Sequence, residues 1–149
     1  GFTARLMGNV RDKEGLTYGI YGYMANDNLR DGDWRIWANF APNLLEQGIA
    51  STKRQLQLWH DEGISADEFK KKQSEFIGSY KVSLSTSDGM ATNILNTVQR
   101  GYGLERLDEY PAAVEALTLD QVNRVIKANL DTAKMTLIKA GTVTDVTAK

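Results

Sequence analysis

No cysteine occurs among the 149 residues. Disulfides and thiolate zinc sites are therefore excluded, and the absence suits a cytoplasmic and a periplasmic setting equally. Histidine occurs once, at His60. A hydrolytic zinc site usually takes two histidines at helical spacing plus a carboxylate, so no metal ligands are expected here. His60, within Trp59-His60-Asp61-Glu62, reads instead as the dipole partner at a helix C-terminus. No apolar run approaches the roughly 18 residues of a membrane span. Neither charge sign is in excess, with 18 Lys and Arg against 19 Asp and Glu, mixed along the chain. That balance predicts neither nucleic-acid binding nor attraction to an anionic membrane surface. No signal peptide is visible and the first residue is Gly1, which reads as an excised or processed piece whose upstream segment and address lie elsewhere. Linker-like tracts, repeats and low-complexity segments are also missing.

What remains is an ordinary globular composition, 42% apolar and 25% charged, in a length that fits one domain with a real core. Thr3 has N-cap chemistry, and Leu6, Met7 and Val10 follow at helical spacing. Gly15 suits the left-handed residue that closes a helix. Leu16 to Met24 alternates as a strand, with Leu16, Tyr18, Ile20 and Met24 on one face. Asn26 to Asp33 is a polar turn, and Trp34 to Ala41 alternates again, so an antiparallel hairpin is expected. Pro42 opens a helix to about Glu62 whose buried side is Leu45, Ile49, Thr52, Leu56 and Trp59. Ser65 with Glu68 is a capping box for a helix to about Leu84, with Phe69, Phe76, Tyr80 and Leu84 inward. Met90 to Val98 reads as a helix closed by Gly101 and Gly103. Leu107 to Tyr110 reads as a short turn stopped by Pro111. Thr118 with Gln121 caps a helix to about Leu130, and Lys134 to Ala140 has strand character. The class is α+β: a small antiparallel or mixed sheet with helices packed on it.

Most other motifs carry no chemistry. Gly101-Tyr102-Gly103 lacks the preceding strand and third glycine of a nucleotide loop. Lys70 to Lys72 is a short basic run on a solvated helix face. Ser83 to Asp88 offers hydroxyls without a partner histidine, and its residues suit helix capping. The exception is the segment Arg11-Asp-Lys-Glu-Gly-Leu-Thr-Tyr18. Arg11 leaves the end of a helix and Tyr18 the start of the next strand, with the helix stop between them. A fixed cation and a phenol on two rigid elements can grip an oxygen that gains negative charge. Taken alone, each also fits a plain role, the arginine as a dipole partner and the tyrosine as strand packing.

Gly1 to Tyr21, with its Arg-x6-Tyr and Gly-Leu centre, resembles the C-terminal domain of the insulinase/pitrilysin-type zinc metallopeptidases. So does Leu107 to Val125, Leu-Asp-Glu-Tyr-Pro-Ala-Ala-Val-Glu-Ala-Leu-Thr-Leu-Asp-Gln-Val-Asn-Arg-Val, and the likeness spans residues 1–141 in order. It implies a non-zinc half-domain at 1–141, truncated at its N-terminal side where further strands would stand, followed by a polar tail at 142–149. A sheet without those strands would have an open edge, and association into a homo-oligomer through that edge is expected. The resemblance further implies a parent zinc metalloendopeptidase acting on peptides. Zinc would be held by another domain or subunit through His-x-x-Glu-His, a motif not found here. This chain would contribute Arg11 and Tyr18, binding the substrate carbonyl and stabilising the oxyanion, and would not be catalytic alone. Glu14 departs from the family pattern, standing where many relatives carry a basic residue. The alternative is a non-catalytic partner or core subunit, or a peptide-binding module, of the same fold.

Overall fold

A computed structural model describes residues 2–26 and 32–141. The tip of the expected polar turn, 27–31, and the expected tail, 142–149, lie outside the described residues. The element order is α1 (Phe2–Leu6), a π-helical segment (Met7–Lys13), β1 (Thr17–Ala25), β2 (Asp33–Phe40), a 3-10 turn (Pro42–Leu44), α2 (Leu45–Glu62), α3 (Ala66–Ser83), α4 (Ser87–Gln99), α5 (Arg106–Glu115), α6 (Leu119–Asn129) and a 3-10 turn (Thr132–Lys134). The α+β class holds: β1 and β2 pair as a two-stranded sheet, and helices make up most of the rest. Thr17 reaches across to Asn39, and Asn26 to Asp33, so the strands run antiparallel.

The chain divides into two compact units. One comprises residues 2–23, 36–63 and 125–141. Its core is Leu6, Val10, Leu16, Ile20 and Leu56, each at most 4% exposed. Burying such a side chain stabilises by about 1.5–3 kcal/mol, so this group dominates the unit. The first helix lies antiparallel along β1. Thr3 near its start bonds Gly22 in both directions, its hydroxyl donating to the carbonyl (2.9 Å) and accepting from the amide (3.1 Å). The Leu16 amide donates to the Val10 carbonyl at the other end. Thr3 is therefore a tether to the strand within the helix rather than its N-cap, because the part-buried Gly22 carbonyl and amide offer its hydroxyl two partners at once. On α2, the Phe40 ring occupies the place where a Cβ on Gly48 would stand.

The other unit contains residues 24–26, 32–35 and 64–124. Here α3, α4 and α5 pack on one another. The capping box at Ser65 and Glu68 forms as the sequence predicts, Thr86 caps α4, and Thr118 and Gln121 exchange bonds at the start of α6. The stripe expected on α3 is less buried than its spacing suggests, with Phe76 54% exposed. Two local expectations change. Pro111 does not end a turn but lies inside α5. A proline in a helix strands the carbonyl four residues earlier, here Leu107, and the Tyr80 hydroxyl donates to that carbonyl at 2.8 Å. A tertiary bond thus supplies what the proline removes. In the first unit, Lys134 to Ala140 forms no strand; a 3-10 turn leads into extended backbone at Met135.

Candidate functional site

Arg11 is carried by the π-helical segment Met7–Lys13. Such segments are rare and occur often at functional sites; no spacing rule in the sequence distinguishes one from an α-helix. The Glu14 amide donates to the Asn9 carbonyl at 3.0 Å and the Gly15 amide to the Arg11 carbonyl at 2.9 Å. Gly15 then turns the chain into β1 at φ +64, a left-handed conformation that costs any residue with a Cβ about 1–2 kcal/mol. Leu16 is buried and Tyr18 opens the strand. By strand alternation Tyr18 shares a side with Ile20, which is fully buried, yet Tyr18 is 86% exposed. What stands over its ring is Arg11.

The Arg11 guanidinium carbon lies 5.0 Å from the centroid of the Tyr18 ring. The two residues that the sequence singled out are therefore together, at the edge of the unit and open to solvent. Asp12 is the charged neighbour, with its carboxylate 3.8 Å from Arg11 Nε, too long for a good hydrogen bond. A cation–π contact at an exposed site contributes about 0.5–1 kcal/mol. An arginine carries roughly 2 kcal/mol of rotamer entropy, so the contact alone does not hold the pair in one geometry. Its placement depends on the backbone either side. Next to Tyr18, the Thr17 hydroxyl bonds the Asn39 carbonyl and accepts from the Gly19 amide at 3.1 Å, fixing the start of β1 to β2. Behind Arg11 lies α2. Gln55 accepts from the Asn9 amide group at 2.8 Å, and Arg54 pairs with Glu14 at 2.8 Å. Hydrogen bonding from Ser51 and the charge of Arg54 hold the Glu14 carboxyl below its usual range, although burial opposes them. Ser51, Arg54 and Gln55 lie 33 to 37 residues beyond Tyr18 in sequence, so no local pattern points to them.

A groove of about 580 Å³ lies elsewhere in the same unit, among Ile36, Phe40, Ile49, Leu56 and Leu137, and neither Arg11 nor Tyr18 lines it. For a metal, the donors do not fit: among the described residues no three of His, Cys, Asp or Glu cluster as a metal could use them. His60 bonds Asp61 at 2.7 Å at the end of α2. Among the described residues no helix is long and apolar enough to cross a membrane.

The chain is 29% identical over 123 residues to the "uncharacterized zinc protease YmxG" of Bacillus subtilis, covering 81% of this chain and 29% of that protein. Among solved structures it resembles a peptidase M16 inactive domain from Pseudomonas fluorescens, with a TM-score of 0.74 and 23% identity over 89% of this chain and 31% of that one. It also resembles a protease from Helicobacter pylori, with a TM-score of 0.72 and 18% identity over 86% of this chain and 31% of that one. The periplasmic protease PqqL of Escherichia coli matches with a TM-score of 0.73 and 17% identity, over 85% of this chain and 14% of that one. These likenesses show the fold, and the chain spans less than a third of the length of each of these relatives. The model of the peptidase M16 inactive domain matches residues 1–76, a stretch that includes the π-helical segment, both strands and α2; the chain belongs to the peptidase M16 family, as its inactive domain.

Proposed function

We propose that this chain is the metal-free part of a zinc-dependent peptidase and that Arg11 and Tyr18 receive the substrate there. The observation that supports this reading is the exposed Arg11 guanidinium standing over the ring of the exposed Tyr18. Both groups donate hydrogen bonds, and neither is committed to the core. A peptide carbonyl placed against them gains negative charge as a nucleophile adds, and donors fixed in advance stabilise that charge without reorganising. Arg11 binds the ground-state carbonyl as well as the oxyanion because its charge acts on both. Tyr18 contributes mostly once the oxyanion exists. In this reading zinc is held by another domain or subunit, and the present chain provides binding and charge stabilisation.

The test is Tyr18→Phe in the intact peptide-cleaving assembly, with steady-state kinetics on one peptide. Losing an oxyanion donor typically costs about 3 kcal/mol of barrier, a rate factor on the order of 100. We expect kcat to fall by that order while KM changes little, and Arg11→Ala to impair both. A Tyr18→Phe protein that is folded and turns over at the native rate would end this reading.

A further inference from the structure

We infer that Glu14, clamped by Arg54 and Ser51 of α2, is a positioning residue for the Arg11–Tyr18 pair. This deepens the proposed function and rests on its reading of that pair. Arg11 stands between two points at which α2 holds the π-helical segment. On one side the Asn9 side chain donates to Gln55 Oε1 at 2.8 Å. On the other, Arg54 Nη2 donates to Glu14 Oε1 at 2.8 Å and to Ser51 Oγ at 3.1 Å. Ser51, Arg54 and Gln55 share one helical face, being three and four residues apart, and Ser51 is 1% exposed. Glu14 is the last residue before the left-handed turn at Gly15. Its carboxylate therefore fixes the elbow from which the π-helical end and β1 diverge. Shifting the elbow moves Arg11 relative to Tyr18, since each hangs from one of its arms. The clamp is ionic and partly sheltered, with the Glu14 side chain 27% exposed. Its ion pair is with Arg54, so its effect on the pair runs through the backbone.

The ring current of Tyr18 reports the geometry directly. Arg11 side-chain protons lying over that ring resonate upfield, and two-dimensional NMR of the 149-residue chain reads their shift. Tyr18→Leu assigns the ring-current part. In Arg54→Glu, which sets two carboxylates against each other, we expect the upfield shift of Arg11 to be lost while the methyl signals of Leu6, Val10 and Ile20 stay in place. Exchanging the charges, in Glu14→Arg with Arg54→Glu, should restore it. Glu14→Gln keeps the side-chain shape and should reduce the shift partly, which covers the case in which Arg54→Glu does not fold. An Arg11 shift that stays native in Glu14→Gln and in folded Arg54→Glu overturns the inference. So does a shift lost in Arg54→Glu and not recovered by the exchange. Because this readout needs no substrate, it stands or falls separately from the Tyr18→Phe kinetics.

Discussion

At the scale of single residues, Arg11 and Tyr18 meet with little local energy of their own. The contact between them is weak against the entropy of an arginine side chain, and the order comes from Gly15, Thr17 and the bonds to α2. Glu14 gives this support a pH dependence. Its carboxyl is held below the usual range by Ser51 and then Arg54, so the folded state binds its proton less readily than the unfolded chain does. That contribution is fully present above the ordinary glutamate range and is lost as pH falls through and below it. Thermal unfolding of the native chain and of Glu14→Gln should therefore differ near neutrality, and the difference should shrink on acidification. A gap in melting temperature that stays constant down to strongly acidic pH would contradict this assignment.

At the scale of elements, α5 is the instructive case. Its sequence contains a residue that normally stops a helix, yet the helix runs from Arg106 to Glu115. Tyr80 of α3 makes this tolerable by donating to the carbonyl that Pro111 leaves without its usual partner. The ring of Tyr80 also packs on Tyr110, with centroids 4.5 Å apart. Gln73, two turns earlier on α3, donates to the Val114 carbonyl at 2.9 Å near the end of the same helix. Burial, and then the neighbouring Asp108 carboxylate, raise the Tyr80 pKa above the ordinary phenol value, so its hydroxyl remains a donor through the neutral range. Tyr80→Phe keeps the ring and removes only that donor. A buried acceptor left unsatisfied costs about 1–3 kcal/mol; the Leu107 carbonyl is part-buried, so denaturant unfolding should show a loss at the lower end of that range. An unchanged midpoint would mean that water replaces the hydroxyl at Leu107.

At the scale of the whole molecule, the balance of donors decides what the chain does alone. One histidine and no cysteine leave too few strong ligands for a catalytic zinc site, which takes three protein ligands from His, Asp, Glu or Cys in a fixed arrangement. Purified and exposed to zinc, the chain should carry well under one tightly bound ion per molecule by metal analysis, and it should not cleave peptides. One zinc per chain, retained through gel filtration at a site within a single chain, would overturn this. The zinc protease to which it is similar is more than three times longer than the matching stretch, and in the proposed reading the metal chemistry belongs to what lies outside these residues.

Much of the architecture was legible in the sequence because it is set by local rules. Capping residues at Ser65, Thr86 and Thr118 and the elbow at Gly15 depend on backbone geometry within a few residues, and alternation marked both strands. The Arg-x6-Tyr spacing named the pair for the same reason: a short turn joins their two elements, so few arrangements separate them. What tertiary structure decided is what depends on partners distant in sequence. Thr3 became a tether to Gly22, and α5 passed through Pro111 because Tyr80 was in reach. Lys134 to Ala140, though suited to a strand, forms none among the described residues, since a strand exists only through a partner's hydrogen bonds. Glu14 reads in the sequence as one more charge in a helix end; only the fold of α2 against that end gives it Ser51 and Arg54, and with them a fixed position.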